Sequence, residues 1–144
     1  MNPITLNGKT YDVRRMPVDG GAHNAWELHR RLAQAAPQLL NVIAMATESQ
    51  QTHAIAMAVS VGQAISSLSR ADADFIKYCC LSFVFRVEDN GDVARTPVSQ
   101  NGVITYSDIG VMDIDKLIFA SIKENLSDFL SELATDLKPG QVNS

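Results

Sequence analysis

The stretch that most limits what this chain can fold into is residues 47–68, TESQQTHAIAMAVSVGQAISSL. Beyond His53, the residues Ala54, Ile55, Ala56, Met57, Ala58, Val59, Val61, Ala64, Ile65 and Leu68 fall on almost every face of a helix. A helix that is apolar all round is buried, or has one side covered by a partner. The segment carries no charge after Glu48, yet Ser60, Gly62, Gln63 and Ser66 interrupt it. A membrane span wants about 20 mainly apolar residues in a row. The stretch is therefore expected to be a core helix, and the other elements must supply the surface that packs on it.

The rest of the chain offers such elements. Residues 4–15 carry a hairpin signal: Ile4-Thr5-Leu6 and Thr10-Tyr11-Asp12-Val13 flank Asn7-Gly8, a pair suited to a type I′ turn. Alternation puts Ile4, Leu6, Tyr11 and Val13 on one apolar face, and a hairpin alone is marginal in water without something against that face. After Pro17 and Gly20-Gly21, Asn24 can cap a helix over 25–35, with Trp26, Leu28 and Leu32 inward and Glu27, Arg30, Arg31 and Gln34 outward. Pro37 suits the first turn of a further helix, QLLNVIAMA, which is either continuous with the central helix or separated from it by a restart at Thr47.

Ser69, with Asp72 three residues on, marks another helix start, and Phe75, Ile76, Cys79, Leu81 and Phe83 carry that segment inward. Helix is expected to about Ser82, then strand to Val87. In that strand Leu81, Phe83, Phe85 and Val87 alternate with Ser82 and Arg86, which is strand periodicity. The turn Asp89-Asn90-Gly91-Asp92 follows, then an edge strand over 93–98 that tolerates Pro97, then Asn101-Gly102 leading into Val103-Ile104-Thr105-Tyr106. The last helix is expected to begin near Asp113 or Asp115 and to run to about Leu137. Ile118, Phe119, Ile122, Leu126, Phe129, Leu130 and Leu133 share a stripe about 120° wide along it, and Pro139-Gly140 ends it.

These elements predict an α+β, mostly α-helical chain. Its N-terminal β-hairpin would pack on a bundle of four or five helices, with a short β-hairpin excursion before the C-terminal amphipathic helix. With 144 residues the chain fits one domain, over 1–138, and a flexible tail over 139–144. Within that domain the hairpin takes 3–15, the helical core 24–82, the β excursion 83–106 and the last helix 113–137.

Net charge is −4 and unevenly spread: residues 1–72 carry six Lys/Arg against five Asp/Glu, and residues 73–144 six against eleven. That balance disfavours nucleic acid, whose affinity comes largely from phosphate neutralisation. The opening MNPITLNGK lacks the basic start and apolar run of a secretory signal. Cys79 and Cys80 are neighbours, where a disulfide would be strained; they are expected to be small buried hydrophobes in a reducing compartment.

Catalytic and metal motifs do not emerge. His23, His29 and His53 have no ligand-type neighbours at helical spacing. The Glu88–Asp92 turn would put Arg86 and Pro97 at ligand positions of a calcium loop, so it is expected to be a plain turn. Asp108, Asp113 and Asp115 are the densest acidic group, and two of them stand where a helix wants caps. Arg14-Arg15 and Arg30-Arg31 are expected on solvated faces. No catalytic, metal or cofactor-binding residue is assigned, and no cofactor is expected.

Three pieces of the chain resemble the tail assembly chaperones of long-tailed bacteriophages and prophages. They are the opening ITLNGKTYDVRRMP with the paired arginines after it, the passage CCLSFVFRVEDNGD, and the closing IKENLSDFLSEL. The last is similar to an Asn-x-x-Asp-Phe stretch, here Asn125, Asp128 and Phe129. The resemblance implies a non-enzymatic role in the cytoplasm of the bacterial host. Such a protein holds the tape measure protein soluble, helps recruit tail tube protein subunits around it, and is absent from the finished virion. Many such genes also yield a frameshifted, longer product.

A chaperone for an amphipathic client needs spare apolar helical surface, and helix-in-groove binding uses such stripes. Two stretches can supply it. One holds Leu39, Leu40, Ile43, Met45 and Met57, whose methionines adapt to varied partners. The other holds Ile118, Ile122, Phe129 and Leu133. These nine are the expected partner-binding residues, exposed or buried between subunits of a homo-oligomer; no nucleic acid and no membrane is expected as a partner. Two other classes compete. One is a minor structural tail or head–tail joining protein that stays in the virion. The other is a small ligand-binding or enzymatic domain with Asp108 and Asp113 beside a pocket.

Overall fold

The computed structural model describes residues 2–35 and 62–127. The expectations for the helix after Pro37, for residues 47–61 of the central helix, and for everything past residue 127 lie outside these residues.

Strands β1 (Pro3–Leu6) and β2 (Lys9–Val13) form the expected hairpin, with Ile4 opposite Tyr11 and Leu6 opposite Lys9. Asn7 and Gly8 both take positive φ, 52° and 77°, as a type I′ turn requires. The hairpin does not stand apart from the mid-chain β excursion. β2 pairs antiparallel with β3 (Val84–Val87), and β3 with β4 (Val93–Pro97), giving one four-stranded sheet in the order β1-β2-β3-β4. This joins the two predicted β pieces and satisfies the outer backbone groups of β2, which a lone hairpin would leave to water. Pro97 ends the edge strand β4, where a missing N–H costs little. A second small hairpin, β5 (Ser99–Gln100) and β6 (Val103–Ile104), turns at Asn101-Gly102 with φ of 55° and 75°.

The facing of β3 is opposite to the one its alternation predicts. Val13 lies opposite Val84 and Tyr11 opposite Arg86, so Val84 and Arg86 share the core side, and Val84 is fully buried. Phe85 pairs with Asp12 on the other face, where the Arg14 guanidinium lies 4.2 Å from its ring centroid. A shift of one residue moves every side chain of a strand to the opposite face. Here the helix before β3 ends one residue early, at Leu81, and Ser82-Phe83 reset the phase.

Helix α1 (Ala25–Leu32) starts at Asn24, whose Oδ1 accepts from Glu27 N at 2.8 Å, and a 3₁₀ turn (Ala33–Ala35) follows. Leu28 and Leu32 are buried as expected, but Trp26 is 60% exposed, beside His29. The Trp26 backbone N–H donates to Val18 O, which fixes its position on the outer side of the first turn. Residues 62–66 are helical and end at Ser67. Helix α2 (Arg70–Leu81) begins at Ser69, whose hydroxyl accepts from Asp72 N. Helix α3 (Val111–Asn125) begins earlier than expected, with Gly110 at its cap and no side-chain cap bond. It is interrupted at Leu126, Ser127 is again helical, and the expected end near 137 lies outside the described residues. Leu126 leaves helical geometry, with φ −124° and ψ 31°, and turns into the core at 6% exposure.

Helix α2 is the hub of the described residues, packing on α1 from one side and α3 from the other. Its Ile76, Cys79, Cys80 and Leu81 are fully buried, against Leu28 and Leu32, Val84 of the sheet, and Leu117, Ile118 and Ile122 of α3. Each large aliphatic buried in this way contributes about 1.5–3 kcal/mol. Burial pushes the Cys79 thiol up to about 12 and raises Cys80 well above its ordinary value, as fits the small buried hydrophobes expected.

Candidate partner-binding groove

Helix α3 is pinned at both ends. At its start the Asn7 amide of the β1–β2 turn donates to both carboxylate oxygens of Asp113, at 3.0 and 2.8 Å. At its end Asn125 Oδ1 accepts from the buried Met16 N–H at 2.7 Å, and its Nδ2 donates to Ser121 O at 2.9 Å. Residues at the two ends of β2 thus hold the two ends of α3, so the helix runs alongside the strand in the same sense. Glu124 adds contacts to Asn2 and Arg15.

Held in this way, the N-terminal half of α3 stands beside α2 and the 62–67 segment, and the three enclose a groove of about 760 Å³. Ile65, Ala73, Val111, Ile114 and Ile118 give it an apolar lining, with Asp74, Lys77 and Asp115 among its polar residues. Val111, at the first position of α3, is 78% exposed. Gly62 sits close against Asp115: a Cβ there would lie 3.0 Å from Oδ2. Burial raises the Asp115 carboxyl above its ordinary pKa, and Lys77 only partly opposes this.

Of the nine expected partner-binding residues, Leu39, Leu40, Ile43, Met45, Met57, Phe129 and Leu133 lie outside the described residues. Ile118 and Ile122 lie within them and are each 2% exposed, so they are core packing and not free surface. The correction has a simple cause. The stripe follows from a turn of 100° per residue, and its centre is where α3 meets α2 and β2. Starting the helix at Val111 sets Val111, Ile114 and Asp115 at i, i+3 and i+4, where they line the groove with Ile118. Of the groove residues on α3, only Val111 lay outside the helix expected over 113–137.

The expected acidic group does not converge. Asp113 is taken by Asn7, while Asp108 binds Arg86 through both oxygens, at 2.8 and 3.2 Å, and Lys9 at 3.3 Å. The Arg86 hydrogen bond holds Asp108 down at about 2. Arg86 faces the core side of the sheet and is tolerated there because its guanidinium stacks 4.0 Å from the Tyr106 ring centroid and donates to Tyr11 Oη. Burial works against its charge, but the bonds to Asp108 and Tyr11 outweigh it and raise its pKa. A polar pocket of about 520 Å³ lies beside this cluster, lined by Lys9, Arg86, Glu88 and Tyr106 among others. The paired arginines make no basic patch. Arg14 binds Asp12, Arg15 binds Glu124, Arg30 binds Glu27, and Arg31 bridges Glu27 to Asp72 of α2.

Residues 7–138 match a family model described as phage tail assembly chaperone protein, TAC. The chain belongs to the phage tail assembly chaperone family. No curated protein and no solved structure matches it. For this tail assembly chaperone, the family-like residues that the structure describes serve the architecture. Asn7-Gly8 forms the turn that clasps Asp113, the Cys79-Cys80-Leu81 run fills the core, and Asn125 fastens α3 to the end of β2. Among the described residues no helix is long and apolar enough to cross a membrane.

Proposed function

We propose that the chain binds the tape measure protein, keeps it soluble and helps recruit tail tube protein subunits during tail assembly, then leaves the particle. The observation that supports this reading most directly is the apolar groove between α2, α3 and the 62–67 segment, in a chain of the tail assembly chaperone family. A long helical client exposes apolar stripes until tube subunits surround it, and a groove of this kind is where such a stripe seats. The client-contacting surface would extend to Leu39, Leu40, Ile43, Met45, Met57, Phe129 and Leu133, on residues 1–138 acting as one unit in the host cytoplasm. Co-expression with the tape measure protein tests the reading. The client is expected in the soluble fraction, bound to the chaperone, and in the pellet without it. Soluble client in both cases, or the chaperone found by mass spectrometry in finished particles, would overturn the reading and favour a structural tail component.

A further inference from the structure

Asp115 is out of place on an apolar stripe. It follows Val111 by four residues and precedes Ile118 by three, so it opens into the groove in line with them. The described residues include six buried or half-buried acids: Asp12, Glu27, Asp72, Asp113, Asp115 and Glu124. Five have partners. Asp12 takes Arg14 and the Asn2 amide, Glu27 takes Arg30 and Arg31, Asp72 takes Arg31, Asp113 takes Asn7, and Glu124 takes Asn2 and Arg15. Asp115 alone among them has neither a hydrogen bond nor an ion pair with another described residue; Lys77 acts on it only at a distance. A half-desolvated carboxylate without a donor is unfavourable, and a donor from outside the chain would recover that loss. Asp74 stands exposed at the same groove and adds negative charge.

Building on the chaperone reading, we infer that the groove receives an amphipathic client helix with Lys or Arg beside its apolar stripe. The stripe seats on Val111 and Ile114, over the buried Ile118, and the basic group pairs with Asp115. Charge selects this occupant over a second copy of the chain. Residues 73–144 carry eleven Asp/Glu against six Lys/Arg, so self-docking of this acidic half would bring carboxylates toward Asp74 and Asp115. Gly62 keeps the carboxylate accessible, since a side chain there would press on Oδ2.

The test uses the full-length chain and two fluorescent model helices with the same Leu/Ile stripe, one flanked by lysines and one by glutamates. The lysine helix is expected to bind more tightly. Asp115→Asn should weaken it roughly tenfold, the scale of one charge-assisted contact, and should not weaken the glutamate helix, whose repulsion from Asp115 it relieves. Asp115→Lys should reverse the preference, and Val111→Glu should weaken both helices. Asp115 and Val111 carry no bonds that hold the fold, and circular dichroism checks each variant. Equal binding of the two helices, an unchanged ratio in Asp115→Asn, or a homodimer that Val111→Glu dissolves and neither helix displaces would overturn the inference. Retention of co-expressed tape measure protein is scored in parallel. If wild type and Asp115→Lys retain it equally, the groove assignment fails and the chaperone reading stands. If wild type does not retain it yet prefers the lysine helix, the client assignment fails and the groove stands.

Discussion

Asn125→Ala separates a structural role from a recognition role for the residue that opens the family-like Asn-x-x-Asp-Phe stretch. Its Oδ1 accepts from Met16 N at 2.7 Å, and Met16 is only 6% exposed. Truncation strands that N–H, which costs about 1–3 kcal/mol. The second bond, Nδ2 to Ser121 O at 2.9 Å, goes to a carbonyl inside the last turns of α3, so its loss adds little. Alanine returns roughly 0.5 kcal/mol of helix propensity. The net expectation is a loss of about 0.5–2.5 kcal/mol, or roughly 2–9 °C in Tm for a chain of this size. Urea unfolding followed by far-UV circular dichroism measures it, and the midpoint should move without a change in slope. Asn125→Asp keeps the acceptor for Met16 and should lose less. A variant Asn125→Ala within about 0.5 kcal/mol of wild type that no longer binds client would refute the clamp and make Asn125 a recognition residue.

Acid should destabilise the chain in a defined window. The Glu27 and Asp108 carboxyls are held down at about 2 by hydrogen bonds from arginines. Folded-state values below the unfolded ones mean stability that is present above the ordinary carboxylate range and lost as pH falls toward about 2. Asp108 is exposed and Glu27 only half-buried, so high salt should flatten the slope, and so should Glu27→Gln with Asp108→Asn; an acid slope that neither changes would refute the assignment. Cys79 and Cys80 should resist a thiol reagent at pH 8 in the native state and react only on unfolding, since burial holds the Cys79 thiol up at about 12; rapid native labelling would contradict that burial. Trp26, at 60% exposure the chain's one tryptophan, should emit at long wavelength and be quenched by iodide. Trp26→Phe should change stability by less than about 0.5 kcal/mol in denaturant titration, and a larger loss would put the ring in the core.

Local chemistry made much of this protein legible. Asn7-Gly8 requires its turn because both central positions need positive φ, and Asn24 and Ser69 announce helix starts because an oxygen three residues ahead of a free N–H finds it. The passage from helix to strand near Ser82 also showed in the change of period. Two features failed together. The phase of β3 missed by one residue, which turns its side chains to the other face, and α3 starts two residues before Asp113, which adds Val111 to it. Phe85, on the alternating apolar face, lies under Arg14; Ile118 and Ile122, expected as partner-binding residues, lie inside the described fold.

What the residues alone determine, then, is the kind of element at each place, because turns, caps and periodicity act over a few positions. Whether two elements far apart in sequence meet is decided only by the folded chain. The union of the hairpin with β3, the clasp of Asn7 on Asp113, and the hold of Asn125 on Met16 all join groups some 70 or more residues apart. No local pattern encodes such contacts; they form because buried amides and carboxylates must find partners once the core has excluded water. The same rule singles out Asp115, the half-buried acid whose partner the described chain does not supply.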